Sequence, residues 1–374
     1  MDEPRSEKRI KILFVIDKWQ AGGRQRVLQE LINGLDATMF ETVLLILSKP
    51  TSSFPFPKTR VCVLPHMRYR SYILPLARIV RAERPHIVSS HLGVLILPII
   101  HIALLISRTR PAVLYSIQSV FDLTSYTHAA YPWIYRYMIA RSLRAATRIT
   151  TGSEGAMAPL SAEFGIPPSL IRMVPNPVYT SGHHHSRDFA STRTTVRILS
   201  VGRLAYPKDF STLLRSFKKA REISAIPLSL SIIGDGADGV ALRTEAHDLG
   251  LGDSIFPGEA AVDSTTFENV DIFIFSSRSE GMPTVLIEAL AFGVPVIATD
   301  CDFGPRELIQ NGTGGFLVPV GDVEKMADAI LRLCADPQLM HAFSEAGPAA
   351  VKRFECTNAI REWQQLFTDH VKRG

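Results

Sequence analysis

One pattern constrains this chain more than any other. Short apolar, β-branched runs alternate with longer amphipathic stretches, and the alternation occurs twice along the chain. In the first pass, residues 10–16, 42–47, 61–64, 86–90, 112–117 and 148–151 read as buried strands, with helical stretches such as 24–35 and 70–83 between them. In the second pass the strands are 196–201, 228–233, 254–256, 272–276 and 294–299. The helices are 210–223, 237–249, 283–292 and 323–334. Strand alternating with helix implies parallel strands, since a parallel connection must cross back over the sheet face. Two doubly wound α/β domains are therefore predicted, 1–180 and 196–356, with a ligand cleft between the carboxyl ends of the two sheets. Pro175-Asn176-Pro177 stiffens the junction, and the polar stretch 181–195 reads as the linker. A last helix, 357–371, has no strand to feed and is expected to pack back on the first domain.

Composition narrows the class further. With 46% hydrophobic and 21% charged residues, the 374-residue chain is too apolar for wholesale disorder. Its four cysteines, Cys62, Cys301, Cys334 and Cys356, form no CxxC pair. That argues against a zinc cluster or disulfide scaffold and fits a reducing compartment. The charged N-terminus leads straight into a strand and does not read as a secretory signal. The longest apolar stretch, 92–106, contains Pro98 and His101. It falls short of the roughly 20 residues a spanning helix needs. A cytoplasmic chain, soluble but able to touch a membrane, is expected.

The net charge of +5 hides an asymmetry. Residues 1–187 hold 23 Lys and Arg against 11 Asp and Glu, a balance of +12, whereas 188–374 hold 18 against 25, a balance of −7. Arg68, Arg70, Arg78, Arg81 and Arg84 interleave with Tyr69, Tyr72, Ile73, Leu74 and Ile79. Arg136, Arg141, Arg144 and Arg148 interleave with Trp133, Ile134, Tyr135, Tyr137 and Met138. Basic residues beside aromatics suit a helix at an anionic membrane surface. The other reading is that these arginines merely solvate the domain. No nucleic-acid partner is expected.

Several motifs could carry chemistry. Gly234-Asp235-Gly236-Ala237-Asp238-Gly239 follows a strand and opens a helix, matching a dinucleotide fingerprint. Asp238 would face the pyrophosphate, however, so a tight turn is the better reading. Gly22-Gly23 after the first strand permits close approach by a phosphate or sugar. Gly202-Arg203 ends a strand, and Lys208-Asp209 opens a helix. Arg203 and Lys208 could clamp a diphosphate, or could form loop ion pairs, Lys208 with Asp209 or Arg203 with a nearby acid. After the strand at 272–276 comes the run from Glu280 through Gly281, Met282, Pro283, Thr284 and Val285 to Glu288. Pro283 suits a first helical turn, and the free N–H groups of Thr284 and Val285 form an anion site. A carboxylate inside this apolar helix is costly without a hydrogen-bonding role, which ribose hydroxyls would supply at Glu288. His183-His184-His185 reads as solvated linker.

Together these elements resemble glycosyltransferase family 4. They are Gly202-Arg203-Leu204 with Lys208-Asp209, the Gly234-Asp235-Gly236 turn, and the Glu280-Gly281 to Glu288-Ala289 run. Residues 294–299 and 315–318 continue the match. The resemblance implies a GT-B fold, two Rossmann-like α/β/α domains facing each other across a cleft, and a retaining enzyme dependent on a nucleotide sugar. It implies that Arg203 and Lys208 hold the donor diphosphate and that Glu280 faces the donor sugar. It also implies that Glu288 binds ribose, that Gly22 and Gly23 lie near the phosphates and acceptor, and that Gly202, Gly234, Gly281, Met282, Pro283, Thr284 and Val285 belong to the donor site. Members commonly carry a histidine where this chain has Gln118, which cannot take a proton at neutral pH. His91, one strand earlier, is either an acceptor contact or a structural residue.

The resulting expectation is a hexosyltransferase or N-acetylhexosaminyltransferase with a UDP-linked donor and a lipid-linked saccharide or glycan acceptor. It would need no cofactor and no metal, since no Asp-x-Asp is read at a strand end near the phosphate site. A nucleotide-sugar epimerase of the same fold, an NAD-dependent dehydrogenase and a silent sugar-binding module are the rivals.

Overall fold

The structure is a computed structural model that describes residues 9–20, 22–50, 54–118, 127, 131–179, 189, 194–252, 255–258 and 264–371. The chain forms two compact units: Met1–Pro177 with Cys356–Gly374, and Val178–Glu355.

The first unit is built on β1 (Ile10–Ile16), β2 (Phe40–Ile46), β3 (Arg60–Val63), β4 (Ile87–Ser90), β5 (Ala112–Ile117), β6 (Arg148–Thr151) and β7 (Ile171–Met173). They form one parallel sheet in the order β3-β2-β1-β4-β5-β6-β7. The helices are α1 (Gly23–Gly34), α2 (Ile73–Glu83), α3 (Leu97–Ser107), α4 (Pro132–Arg144) and α5 (Met157–Phe164). Because side chains alternate across a strand, β1 feeds two cores. Leu13 and Val15 pack with α2, α3 and α4 on one face. Ile12, Phe14 and Ile16 pack with α1 on the other. The apolar stretch at 92–106 is resolved by this arrangement: α3 lies in the core, with Leu97, Ile100 and Ala103 buried.

The second face is completed by the end of the chain. Trp363, Leu366 and Phe367 of the final helix, Cys356–Val371, belong to the same cluster as Phe14. Trp363 is fully buried, and its Nε1–H donates to the Pro175 carbonyl at 3.1 Å. The chain passes between units at 177/178 and again at 355/356. The linker expected at 181–195 needs correcting at its one large hydrophobe. Phe189 is buried in the core of the second unit. Residues 180–188, including His183, His184 and His185, lie outside the described residues.

His91 also belongs to this core. Its side chain is 2% exposed, tilted against Phe14 and Trp363 at ring distances of 5.9 Å, and its Nε2 pairs with the Ser89 hydroxyl at 3.1 Å. Of the two readings open for His91, the geometry is that of the packing one. The strand end that suggested function is roofed by the final helix.

The second unit carries β8 (Val196–Val201), β9 (Leu228–Ile233), β10 (Ile272–Phe275), β11 (Val296–Thr299) and β12 (Gly315–Val318). These pair in parallel in the order β12-β11-β10-β8-β9. Its helices are α6 (Phe210–Ile223), α7 (Gly239–Asp248), α8 (Thr284–Ala291), the single turn α9 (Pro305–Leu308), α10 (Val323–Ala335) and α11 (Pro337–Val351). The final helix of the chain is α12. No strand forms at 255–256, the described part of the one expected there. Gly258 makes only an isolated bridge to Ile233. The helix α11 was unforeseen because Gly347-Pro348 reads as a breaker. The glycine has a packing reason: a Cβ there would stand 2.8 Å from the Leu290 carbonyl of α8.

Burial pushes the His91 imidazole down to about 3, with nearby Arg24 adding repulsion. An unfolded histidine titrates near 6.5, so between those values the unfolded state binds the extra proton and stability falls as pH drops. His91→Gln should remove that dependence. The unfolding free energy of the variant relative to the parent should rise by about 1.4 kcal/mol per pH unit as pH falls from about 6 to 4. Urea titrations at stepped pH measure it, and a difference constant across that range would contradict a buried neutral His91.

Candidate functional site

The carboxyl edge of the second sheet is shaped by close backbone contact. Gly202 follows β8, and its N–H donates to the Ile233 carbonyl at 3.0 Å. Leu204 N–H donates to Asp235 O at 2.9 Å, and Asp238 N–H to Leu204 O at 2.9 Å. A Cβ at Gly234, where φ is +151°, would lie 1.9 Å from the Gly202 carbonyl. One at Gly236 would lie 2.3 Å from that of Leu204. The glycines of the dinucleotide-like fingerprint therefore admit a neighbouring chain segment, and the turn braces the loop that presents Arg203. Arg203 itself is exposed.

The structure brings Lys208 and Glu280 together. Lys208 Nζ donates to Glu280 Oε1, which also accepts from the Ser277 hydroxyl at 2.9 Å. The ammonium lies 5.2 Å from the centre of the Phe275 ring. Of the loop ion pairs left open by sequence, Lys208 with Asp209 is not formed. Asp209 is buried and pairs instead with Arg278, Nη2 to Oδ2 at 2.9 Å. Ser276 Oγ donates to the Lys208 carbonyl at 2.8 Å. The loops after β8 and β10 are thereby joined through side chain and backbone alike.

Helix α8 begins directly behind this junction. Pro283 is its N-cap and leaves the first amides, those of Thr284 and Val285, at the open end of the helix. Met282 and Glu288 are buried. Gly304, at φ +89°, lies against Gly281 and Pro283, where a Cβ would meet Pro283 Cδ at 2.5 Å. The loop after β11 thus packs on the loop before α8. That loop contains Asp300-Cys301-Asp302, so the expectation of no Asp-x-Asp near this edge is corrected. Asp300 is held by Arg306, whose Nε donates at 3.0 Å. Among the described residues no three His, Cys, Asp or Glu side chains converge as metal ligands. Burial, reinforced by the Glu280 charge, pushes the Cys301 thiol up to about 12, which leaves it protonated and unsuited as a nucleophile.

Three further predicted positions, Gly22, Gly23 and Gln118, follow strands of the first sheet at its carboxyl edge. Gly22 has extended backbone, φ 169°, so its value is room rather than conformation: a Cβ would meet Gln25 Oε1 at 2.8 Å. Gly23 starts α1. The preceding loop is anchored by buried Trp19, whose Nε1–H donates to Pro55 O at 3.2 Å. Gln118 follows β5. Its Nε2 donates to Ser116 Oγ at 2.6 Å, and its Oε1 accepts from Asn176 Nδ2 at 2.8 Å. Asn176 was read only as part of a stiff junction. It and the Asp209–Arg278 pair escaped sequence reasoning, because each depends on a partner 58 or more residues away.

Residues 22–177 match the family described as Glycosyl transferase 4-like domain, and residues 185–350 match Glycosyl transferases group 1. The chain is 32% identical over 192 residues to the amylovoran biosynthesis glycosyltransferase AmsD of Erwinia amylovora, covering 50% of this chain and 53% of the relative. It is 26% identical over 232 residues to the N-acetylgalactosamine-N,N'-diacetylbacillosaminyl-diphospho-undecaprenol 4-alpha-N-acetylgalactosaminyltransferase of Campylobacter jejuni, covering 61% of each. The matches span about half of the chain and between a fifth and about half of the first curated relatives. The crystal structure of Anabaena HepE in complex with UDP and glucose superposes with a TM-score of 0.79, covering 96% of this chain and all of that one at 18% identity. With two family matches that together take in most of its length, and the fold of HepE, the chain belongs to the GT-B glycosyltransferases of the family 4 type.

Proposed function

We propose that this protein transfers a hexose or N-acetylhexosamine from a nucleotide sugar, UDP-linked, to a lipid-linked saccharide or glycan, with retention at the anomeric carbon. The observation that carries the reading is the junction of Lys208 with Glu280 beside exposed Arg203, at the carboxyl edge of a parallel sheet. Lys208 has three donors and gives one to Glu280. Two remain for diphosphate oxygens. Arg203 adds a planar fork, and the open amides of α8 supply the positive end of a helix dipole.

In this reading the cations stabilise the diphosphate as it leaves, where charge develops. Glu280 faces the sugar that becomes electron-poor, and buried Glu288 accepts from ribose hydroxyls. The leaving phosphate oxygen takes the acceptor proton, so Gln118 need only hydrogen-bond a hydroxyl. The UDP complex of HepE and the undecaprenyl substrate in the Campylobacter relative's name support the donor and acceptor classes.

The test is a panel of nucleotide sugars assayed for hydrolysis and transfer. Losing one charge-assisted hydrogen bond costs about 1.5–3 kcal/mol. Arg203→Ala and Lys208→Ala should therefore lower kcat/KM about tenfold to a hundredfold with folding intact. Glu280→Ala should act mainly on kcat, and Glu288→Ala mainly on donor KM. Near-normal activity in both cation variants would refute the phosphate assignment.

The same cation set makes a divalent metal dispensable, and Asp300 is already neutralised by Arg306. Full activity is expected in excess EDTA. Loss of activity restored by Mn²⁺ or Mg²⁺ would assign Asp300 and Asp302 a metal instead.

The face of the first unit formed by α2, α3 and α4 is proposed to meet an anionic membrane. Trp133 and Tyr137 are 71% and 63% exposed on α4, with Leu105 65% exposed on α3 and Leu74 56% on α2. Some of the interleaved arginines already hold the fold: Arg136 binds Glu163, Arg144 the Phe164 and Gly165 carbonyls, and Arg81 those of Ile106 and Ser107. Exposed Arg70, Arg78 and Arg141 are the better candidates for lipid. No helix among the described residues is long and apolar enough to cross a membrane. Each basic residue contributes about 1 kcal/mol at an anionic surface. Binding to phosphatidylglycerol vesicles should therefore weaken with salt and drop when Arg70, Arg78 and Arg141 become Glu. Equal recovery on neutral vesicles would exclude this face as an anionic-lipid site.

A further inference from the structure

Asp209 is an anomaly at the heart of the junction. It follows Lys208 directly, is 6% exposed, and sits at φ +49°, ψ +46°, a left-handed conformation that favours glycine. It stands at the N-cap of α6, where an aspartate ordinarily accepts from a helix amide. Here it makes no such bond. Its carboxylate instead accepts from the Thr212 hydroxyl at 2.8 Å and pairs with Arg278 at 2.9 Å. Sparsely populated backbone next to a reacting group persists only where the surroundings enforce it.

The enforcing element is the segment 276–278. Ser276 holds the Lys208 carbonyl, Arg278 N–H donates to Pro207 O at 2.8 Å, and the Arg278 guanidinium lies 5.3 Å from the Tyr206 ring centre. Arg278–Asp209 and Lys208–Glu280 are thus two ion pairs cross-linking the same two loops in opposite senses: the first loop gives the acid to one pair and the base to the other.

We propose that Arg278 is a positioning residue: by holding the Asp209 carboxylate it keeps residue 209 left-handed, and that backbone aims the Lys208 ammonium at Glu280 and the donor phosphate. The phosphate part rests on the function proposed above. The aim of Lys208 does not. The rival is that Arg278, 39% exposed at its side chain, touches the donor itself.

The full chain is tested as Arg278→Met, Asp209→Ala, Asp209→Gly and the Asp209→Gly/Arg278→Met double variant. One readout needs no turnover: the rate at which acetic anhydride acetylates Lys208, followed by mass spectrometry. The other is kcat and donor KM with a nucleotide sugar. Arg278→Met and Asp209→Ala should raise Lys208 labelling about threefold or more and lower kcat about tenfold, with KM changed less than about twofold. Glycine adopts φ +49° without a carboxylate to be held. Adding Arg278→Met to Asp209→Gly should therefore change labelling and kcat by less than about twofold. An equal loss of kcat on removing Arg278 in both backgrounds shows a direct donor contact and overturns the proposal. So does unchanged Lys208 labelling in Arg278→Met. Should Asp209→Ala fail to fold, the comparison of Arg278→Met with and without Asp209→Gly still decides. Should no nucleotide sugar be turned over, the proposed function falls, and labelling alone decides the positioning.

Discussion

The candidate site depends first on how closely two stretches of backbone approach at the carboxyl edge of the second sheet. Gly234 and Gly236 lie so near the Gly202 and Leu204 carbonyls that side chains there would overlap them, at 1.9 and 2.3 Å. Three backbone hydrogen bonds then lock the Arg203 loop to the turn after β9. Any residue with a Cβ at these positions would push the loop outward, and Arg203 with it. The cost would be steric and local, yet its consequence would reach the charge presented at the sheet edge. Glycine here serves protein against protein, and that packing by itself accounts for a spacing that imitates a nucleotide fingerprint.

Parallel strand order explains why chemistry gathers at this edge. With β10 next to β8 and β11 next to β10, the loops after all three leave the sheet side by side. Arg203 and Lys208 come from the first, Glu280 from the second and Asp300 from the third. Each loop is short and tied to its neighbour: Ser276 to Lys208, Lys208 to Glu280, Gly304 against Gly281. Charges held this way need little reorganisation when a ligand arrives, the condition under which electrostatic stabilisation is most effective.

The fold was legible in the sequence because it rests on period and apolarity, which are local. β5, β6, β8 and β9 fall where the apolar runs place them, and α6 matches its amphipathic stretch residue for residue. β7 was missed because three residues carry too little pattern. α11 was missed because Gly347-Pro348 reads as a breaker, and only the tight crossing on Leu290 reveals why that glycine is tolerated. Arg203, Lys208, Glu280 and Glu288 were legible as residues because their spacing is short. Their partners were not. Arg278 finds Asp209 across 69 positions and Asn176 finds Gln118 across 58, and no local rule links such distances. His91 shows the converse: a polar residue at a strand end leaves function and packing both open in the sequence, and a helix from the other end of the chain packs against it.

Gln118 carries the last constraint on mechanism. Its amide is committed on both sides, Nε2 toward Ser116 and Oε1 from Asn176, which leaves one N–H to donate outward. A group so placed can hold a sugar hydroxyl or carbonyl oxygen but cannot remove a proton. His91, which follows the neighbouring strand β4, is buried, and that burial pushes its imidazole down to about 3. Neither can serve as base in the first unit. In the proposed reaction the proton goes instead to an oxygen that becomes more basic as the reaction proceeds, and the departing phosphate is such an oxygen. In that reading the Arg203, Lys208 and Glu280 edge supplies the charge. The basic balance of residues 1–187, with its exposed arginines, is what the proposed anionic surface would meet; solvation of the domain is the other reading.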